Sequence, residues 1–387
     1  MKEDLFKMTI YSVVIIMLFA LFLLELIAQG SRAKKRLFII ASGIVFFIMS
    51  FRGKDVGGDM IEYVHFWQGI DDMYGTWKSP NIVLVLEPGL SWLCYFLHLF
   101  NDGDAWFFVF ATSIIIICPF FYLIWRDSNN KVMSILLFFI MWGLLDISFT
   151  GLRQVIGVSF CILAYIVWTS TFKRKWFRNI LIVFLIAFAL TFHTTTIFAI
   201  ILCLCMLFVK KMHKRTLLFS LVLSLIIGIV FAKIVPYLFD RIASISTSFE
   251  LLFRYDHYFE EEGLTEGRIG ITQILTTLLI MIVVSLAKED CHNVFYVNCL
   301  VLGNCLLNIF VPFPNAGRFL YPVLIMGLVS SPSLLNVKRY TGYKIILFLF
   351  TAILAIHQIK VWEDSYNDKN SSAYIYNQMF PYNFIWE

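Results

Sequence analysis

The chain has 387 residues, of which 60% are hydrophobic and 15% charged, and its mean hydropathy is +0.80. Soluble domains average about 45–50% apolar and about 25% charged residues, so this composition excludes an ordinary soluble protein. The net charge of +5 does not indicate nucleic acid as a partner, because membrane proteins concentrate basic residues in their cytoplasmic loops.

Long apolar runs recur along the chain with only short polar breaks between them. A helix needs about 20 apolar residues to cross a bilayer core. The runs therefore predict an all-α polytopic integral membrane protein with about 10–12 transmembrane helices, in a single membrane domain over residues 1–387. The predicted spans are 9–28, 37–51, 105–125, 132–149, 151–168, 216–239, 269–287, 294–311, 319–335 and 345–362.

Basic residues cluster in short loops, whereas the longer polar segments contain several acidic residues. The positive-inside rule assigns the basic loops to the cytoplasm. Three segments are then predicted on the outer face: 52–80, 240–268 and the tail 363–387. The basic loops are at Arg32–Arg36, Arg126–Lys131, Lys173–Arg178, Lys210–Arg215, Lys288 and Lys338–Lys344.

Two apolar runs do not fit as simple spans. The run near 82–100 would give an even number of crossings between the outer segment 52–80 and the next inner loop, so we expect an interfacial or re-entrant segment there. The run near 180–209 starts and ends beside basic clusters and carries the polar residues Thr191–Thr196 in its middle. It predicts a short broken hairpin, with each arm about 22 Å long at about 1.5 Å per residue.

Polar and ionisable residues that remain at membrane depth collect at the predicted outer face. Such residues are costly in a bilayer and usually face a cavity or a partner, so each is a functional candidate. The candidates are Arg52, Asp59, Tyr63, Glu87, Arg153, Gln154, His193, Arg318 and Tyr321.

The acidic candidates and His193 each have a structural alternative. Asp59 followed by Glu62 has the spacing of a capping box that starts a short amphipathic helix. Glu87 precedes a proline, as an N-cap carboxylate does. Alternatively, an apolar environment raises the pKa of a carboxyl group, and a carboxyl with a raised pKa can act as a general acid or base. His193, at the apex of the predicted hairpin, is either a packing residue or a functional one.

The cationic candidates also have two interpretations. Arg52 and Arg153 could simply extend towards lipid head groups, and Arg318 with Tyr321 could be interfacial anchors that share a helical face. However, the planar guanidinium is the preferred partner of a diphosphate, and a lipid diphosphate lies at this depth. The cysteines form no CxxC pair, and no metal-ligand spacing or nucleotide-binding motif is present. We therefore expect no metal and no cofactor.

Six short motifs follow one another along the chain. They are Arg52 with Gly57-Gly58-Asp59 and Tyr63, Glu87-Pro88-Gly89, Leu152-Arg153-Gln154, Phe192-His193-Thr194, Arg318-Phe319-Leu320-Tyr321 and Phe380-Pro381-Tyr382. In this order they resemble the EpsG family of bacterial polysaccharide polymerases, which are similar in role to Wzy O-antigen polymerases. The resemblance implies that a growing glycan is transferred from undecaprenyl diphosphate to a new lipid-linked repeat unit. It implies that this reaction occurs at the periplasmic face of the inner membrane of a Gram-negative cell, with O-antigen as the first expectation.

The resemblance also suggests roles and partners. Arg153 and Arg318, with Arg52 third, are expected to bind the diphosphate, and Tyr63, Gln154 and Tyr321 to contact the substrate. Glu87 and His193 are the first choices for the base, with Asp59 second. The partners implied are the lipid-linked donor and acceptor, membrane lipid, a chain-length regulator and a flippase, and no nucleic acid.

Two other classes of function fit a polytopic membrane protein. A transporter or flippase of lipid-linked oligosaccharides would spread polar groups through both halves of a pathway, often with inverted repeats. A membrane acyltransferase acting on surface sugars would also place a histidine in such a domain. The collection of candidates at one face favours the polymerase.

Overall fold

Helices make up nearly all of the regular structure in the computed structural model, which confirms the all-α prediction. The described residues are 2–70, 77–78, 83–84, 88–101, 103–193, 196–209, 212–245, 269–286, 294–311, 316–329, 341–367, 382 and 384. The helices are α1 (Lys2–Ile27), α2 (Ser31–Ser50), α3 (Met60–Gln68), α4 (Pro88–His98), α5 (Ala105–Asp127), α6 (Lys131–Ile140), α7 (Leu144–Thr150), α8 (Leu152–Thr169), α9 (Lys175–Phe192), α10 (Thr196–Phe208), α11 (Lys214–Ile245), α12 (Ile271–Leu286), α13 (Val294–Phe310), α14 (Ala316–Gly327) and α15 (Thr341–Asn367). Two strands of two residues each, β1 (Trp77–Lys78) and β2 (Val83–Leu84), pair antiparallel.

Several helices have the length and composition of membrane spans. Within the described residues, five helices pass this test, and a sixth passes if α6 and α7 are taken as one bent span. Shorter apolar helices of 10–17 residues follow in the second half of the chain. The protein is therefore a multi-pass membrane protein. The five segments are Ile10–Ile27, Ala105–Asp127, Leu152–Thr169, Lys175–Phe192 and Lys214–Ile234.

The chain divides into two compact units. Unit 1 comprises Met1–Leu202 and Ile359–Glu387, and unit 2 comprises Cys203–Gln358. The prediction of a single membrane domain concerns the chain as a whole and stays a prediction.

In unit 1, α1 is tied to the start of α6 by a buried carboxylate. Glu25 is 0% exposed and accepts hydrogen bonds from the backbone N–H groups of Lys131, at 2.8 Å, and Val132, at 3.1 Å. The first N–H groups of a helix have no partner inside the helix, so Glu25 caps α6 from another helix. Arg126 at the end of α5 donates to the carbonyl of Ile166 near the end of α8 at 3.3 Å. These contacts join helix ends that lead into predicted cytoplasmic loops.

The segment predicted as a span over 132–149 is bent. Helices α6 and α7 meet at an angle of 68°, and the pair can still form one bent span. At the break, Trp142 and Gly143 have φ angles of +58° and +60°, so both take the left-handed conformation that ends a helix. The sequence reasoning did not predict this bend.

The hairpin near 180–209 breaks where it was predicted, but its arms differ. Helix α9 ends at Phe192, His193 is extended, and α10 starts at Thr196. The first arm has 18 residues, or about 27 Å, because α9 starts at Lys175 inside the basic cluster. It is therefore longer than expected. Helix α4 has 11 residues, about 16 Å, which agrees with a non-spanning segment near 82–100.

Unit 2 is held together by a buried polar network between α11, α12 and α13. The Asn308 side chain accepts from Gln273 Nε2 at 2.7 Å and donates to Ser224 Oγ at 2.8 Å and to Thr277 Oγ1 at 3.2 Å. Asn304 donates to the same Thr277 hydroxyl at 2.9 Å. These bonds satisfy side chains that would be costly to bury alone, so the network has a structural explanation.

The described residues include only part of each predicted outer segment. Residues 52–70 form a loop and α3, and α11 and α15 continue as far as Ile245 and Asn367. The first residues of the predicted segments 240–268 and 363–387 are therefore helical. Residues 246–268 and 368–381 lie outside the described residues.

Candidate functional site

Arg52 is the most enclosed of the predicted site residues. It is 0% exposed, and its guanidinium carbon lies 4.2 Å from the centroid of the Phe149 ring. Nη1 donates to the carbonyl of Met49 at 3.3 Å, whereas Nε and Nη2 have no hydrogen-bond partner among the described residues. Burial lowers the pKa of Arg52 to about 10, so the group keeps its proton at neutral pH. Arg52 thus offers two unpartnered donor nitrogens and a positive charge inside unit 1.

The loop after Arg52 packs against the end of α7. Gly57 has a φ of +108°, and a Cβ atom at this position would lie 2.6 Å from the carbonyl oxygen of Phe149. Both the left-handed backbone and the close approach require glycine. This contact brings the loop beside the short connection between α7 and α8, where Arg153 follows.

Asp59 does not form the predicted capping box. It precedes α3, but its backbone is already in the right-handed helical region, with φ −93° and ψ −2°, and its side chain makes no capping hydrogen bond. An N-cap normally has an extended backbone that lets its side chain reach the N–H groups ahead. Glu62, the other member of the predicted box, is exposed. Asp59 is half-buried and remains a candidate base by prediction only.

Tyr63 and Arg153, which are far apart in the sequence, meet in unit 1. Nε of Arg153 donates to the hydroxyl of Tyr63 at 3.1 Å, and the guanidinium carbon lies 5.8 Å from the centre of the Tyr63 ring. Tyr63 is buried and Arg153 half-buried at the start of α8. The neighbouring Gln154 is buried. The tyrosine therefore fixes the direction of an arginine that keeps part of its surface accessible.

His193 lies beside the start of α4. It is half-buried at the break after α9, and its carbonyl accepts from the N–H of Thr196 at 3.0 Å. A Cβ atom on Gly89 would lie 2.5 Å from Oγ1 of Thr191, so α4 starts almost in contact with the last turn of α9. Glu87 lies outside the described residues, two positions before Gly89.

Arg318 and Tyr321 belong to unit 2. Both lie on α14, three residues apart, and Tyr321 is buried while Arg318 is half-buried. Their approach to the unit 1 candidates stays a prediction.

The sequence reasoning missed Asp146. It lies on α7, three residues before Phe149, so the two side chains share a helical face. Its Oδ1 atom is buried and has no hydrogen-bond partner among the described residues. A single carboxylate inside the apolar run 132–149 was the signal, because an ionisable residue at membrane depth is a candidate by default.

The described part of the chain contains no group of three or more His, Cys, Asp or Glu side chains placed to hold a metal ion. Arg52 lies against the ring of Phe149, whose backbone meets Gly57, and Arg153 follows four residues later at the start of α8. Such an arrangement can stabilise negative charge on a phosphate or diphosphate.

Comparison with known proteins gives one match. No curated protein and no solved structure shows a significant similarity to the chain. Residues 35–384 match the EpsG family, and this range includes every motif from Arg52 to Tyr382. Family membership supports a general role in polysaccharide polymerisation, for a protein of multi-pass membrane architecture. The match extends over most of the chain, and the protein therefore belongs to the EpsG family.

Proposed function

We propose that this protein is a glycosyltransferase that polymerises oligosaccharide repeat units, with O-antigen as its most specific expected product. The donor is a growing glycan on undecaprenyl diphosphate, and the acceptor is a new lipid-linked repeat unit. The reaction takes place at the periplasmic face of the bacterial inner membrane. A chain-length regulator and a flippase are the expected protein partners.

The convergence of Arg52, Tyr63 and Arg153 is the observation that carries this proposal. Arg52 follows the C-terminal end of α2, and Arg153 lies in the first turn of α8. The hydroxyl of Tyr63 aligns Arg153, and the ring of Phe149 packs against Arg52. Arginine binds diphosphate oxygens through parallel N–H groups. Positive charge that is fixed before the reaction stabilises a departing anion without reorganisation.

The transfer breaks the bond between the anomeric carbon and the diphosphate oxygen of the donor lipid. The electron pair leaves with the diphosphate, whose charge Arg153 and Arg52 stabilise. A hydroxyl of the acceptor sugar forms the new bond to the anomeric carbon, and its proton passes to a base. Gln154 contacts the substrate. The substrate roles of Arg318 and Tyr321 remain those that the sequence motif predicts.

His193 and Glu87 remain the preferred bases, with Asp59 second. The Gly89–Thr191 contact places the start of α4 next to the helix end that carries His193. A base must come within hydrogen-bond reach of the proton it accepts, and His193 directly follows the helix end that meets α4.

Gel analysis of surface polysaccharide tests the function and the site together. A deletion strain should carry single repeat units, and the wild-type chain should restore a ladder of long polymer. Arg153→Ala and His193→Ala should fail to restore the ladder when immunoblots show normal protein levels. Arg174→Ala is the matched control, because Arg174 is exposed just before α9 within a predicted cytoplasmic cluster and should restore the full ladder.

Other results would favour other classes. Lipid-linked units trapped inside the deletion strain would indicate a flippase. Repeats of altered mass at unchanged chain length would indicate an acyltransferase. A full ladder with Arg153→Ala would contradict the site while leaving the family assignment intact.

A further inference from the structure

The C-terminal end of α2 is completed by a residue from the opposite end of the chain. The last four carbonyl groups of a helix have no partner within the helix. Here the carbonyl of Ile48 accepts a hydrogen bond from the hydroxyl of Tyr382 at 2.9 Å, across 334 positions. The carbonyl of Met49 accepts from Ser113 Oγ at 2.9 Å and from Arg52 itself. The helix end that carries Arg52 is thus fixed by side chains from two other segments.

Tyr382 is held firmly enough to act as a support. It is 0% exposed, and its ring packs edge-on against Tyr11 and Phe384, with centroid distances of 5.4 and 5.1 Å. The Phe384 ring lies 6.0 Å from Phe47 on α2. A buried tyrosine with a bonded hydroxyl and an aromatic neighbour on each side has little freedom to move.

The same segment also holds the backbone of Arg52. Arg52 and Phe384 form an antiparallel β-bridge. Arg52 is therefore fixed through its main chain by Phe384 and through the preceding helix turn by Tyr382. Its guanidinium is fixed by Met49 and Phe149.

This support leaves Nε and Nη2 of Arg52 aligned but without a protein partner in the described structure. Buried polar groups are nearly always hydrogen-bonded, so an arginine with two buried, unpartnered donor nitrogens indicates a missing acceptor. A guanidinium fixed in this way can donate hydrogen bonds to an anion at a lower entropic cost, because its side chain is already ordered before the anion binds.

We propose that Tyr382 is a positioning residue for Arg52. This inference rests on the proposed function, in which Arg52 contacts the lipid diphosphate. Tyr382 itself does not touch the substrate. It acts by fixing the last turn of α2, from which Arg52 extends.

Binding of undecaprenyl diphosphate to the purified full-length protein in nanodiscs tests the proposal, with undecaprenol as the probe that lacks the diphosphate. Tyr382→Phe removes one hydroxyl and should weaken binding about threefold to tenfold, the range of one neutral hydrogen bond. Tyr382→Ala, which also removes the ring contacts, should weaken it further. Tyr122→Phe is the matched control, because Tyr122 is 51% exposed on α5 and should bind like the wild type.

A double-mutant cycle separates positioning from general stability. If Tyr382 acts through Arg52, then Tyr382→Phe should cause no additional loss of affinity in an Arg52→Ala background. An equal loss in both backgrounds would mean that Tyr382 only supports the fold, and unchanged or tighter binding by Tyr382→Phe would mean that the segment merely covers Arg52. Either result overturns the proposal.

Failure of the proposed function would look different. If the wild-type chain bound undecaprenyl diphosphate no better than undecaprenol, the diphosphate site itself would be wrong. If Arg52→Ala bound like the wild type, while Arg153→Ala did not, the site would stand without Arg52, and the positioning role of Tyr382 would fall with it.

Discussion

Glu25 should be one of the most sensitive positions for the stability of unit 1. Its carboxylate accepts two backbone hydrogen bonds at the start of α6, and the residue is 0% exposed. Glu25→Ala leaves the N–H groups of Lys131 and Val132 buried without this partner. Each orphaned donor costs about 1–3 kcal/mol, and the buried carboxylate that is removed offsets part of this loss. The expected net destabilisation is about 2–3 kcal/mol.

Size-exclusion chromatography of the heated, detergent-solubilised protein measures this effect. In a protein of this size class each kcal/mol lowers the melting temperature by about 2–4 °C, so Glu25→Ala should lose about 4–12 °C. Glu25→Gln keeps one good acceptor and should fall between the wild type and Glu25→Ala. Glu363→Ala is the control, because Glu363 is exposed on α15 and its loss should cost at most about 0.5 kcal/mol. Equal melting temperatures for Glu25→Ala and Glu363→Ala would refute the capping role.

Three further predictions concern packing, unit 2 and pH. Gly89→Ala should shorten the polysaccharide ladder, because its methyl group would meet Thr191 at 2.5 Å, whereas Gly43→Ala, with open space around the new atom, should not. Asn308→Ala removes three side-chain hydrogen bonds, to Gln273, Ser224 and Thr277. Because hydrogen bonds between membrane helices average about 0.6 kcal/mol each, the melting temperature should fall by the equivalent of about 1–2 kcal/mol. An unchanged melting temperature would contradict a stabilising role of the network. Because the pKa of Arg52 is lowered to about 10, its charge is present below that pH and lost above it. Affinity for undecaprenyl diphosphate should stay level from pH 7 to about 9 and fall as the pH passes about 10, a fall that Arg52→Ala should lack.

Structural features that depend on neighbouring residues in the sequence were predictable. The break after α9 was predicted from a polar run inside an apolar one. Threonine side chains compete for the backbone hydrogen bonds of a helix, so a cluster of threonines and a histidine favours a helix break. The meeting of Tyr63 with Arg153 was predicted only as a shared face, from charge placement. Which tyrosine would align which arginine depends on how α3 packs against α8, and no local pattern encodes that.

Features that depend on distant contacts were missed. The bend at Trp142 and Gly143 lies in a run of mostly apolar residues, which has the composition of a continuous span. Asp59 has the right residue type and spacing for a cap, but the backbone angles before α3 do not allow it. Glu25 looks like an isolated acid near a helix end until α6 is brought beside it. Its partners lie in a segment that sequence spacing cannot connect.

Glycine explains how the short motifs come together in unit 1. Lipid tails are as apolar as leucine, so membrane helices associate through close packing and hydrogen bonds rather than through the exclusion of water. Small residues are therefore needed where backbones approach. Gly57 meets Phe149, Gly89 meets Thr191, and Gly157 meets both Ala189 and Thr196, each at a distance that leaves no room for a Cβ atom.

These three contacts determine where the candidate side chains lie. The Gly57 contact brings the Arg52 loop to the helix end that leads into Arg153, and the Gly89 contact brings the segment after Glu87 to the end of α9. The Gly157 contact holds α8 against the helices on both sides of His193. The glycines are thus as much a part of the proposed site as its charged residues, because a Cβ atom at any of these positions would require the packed segments to shift.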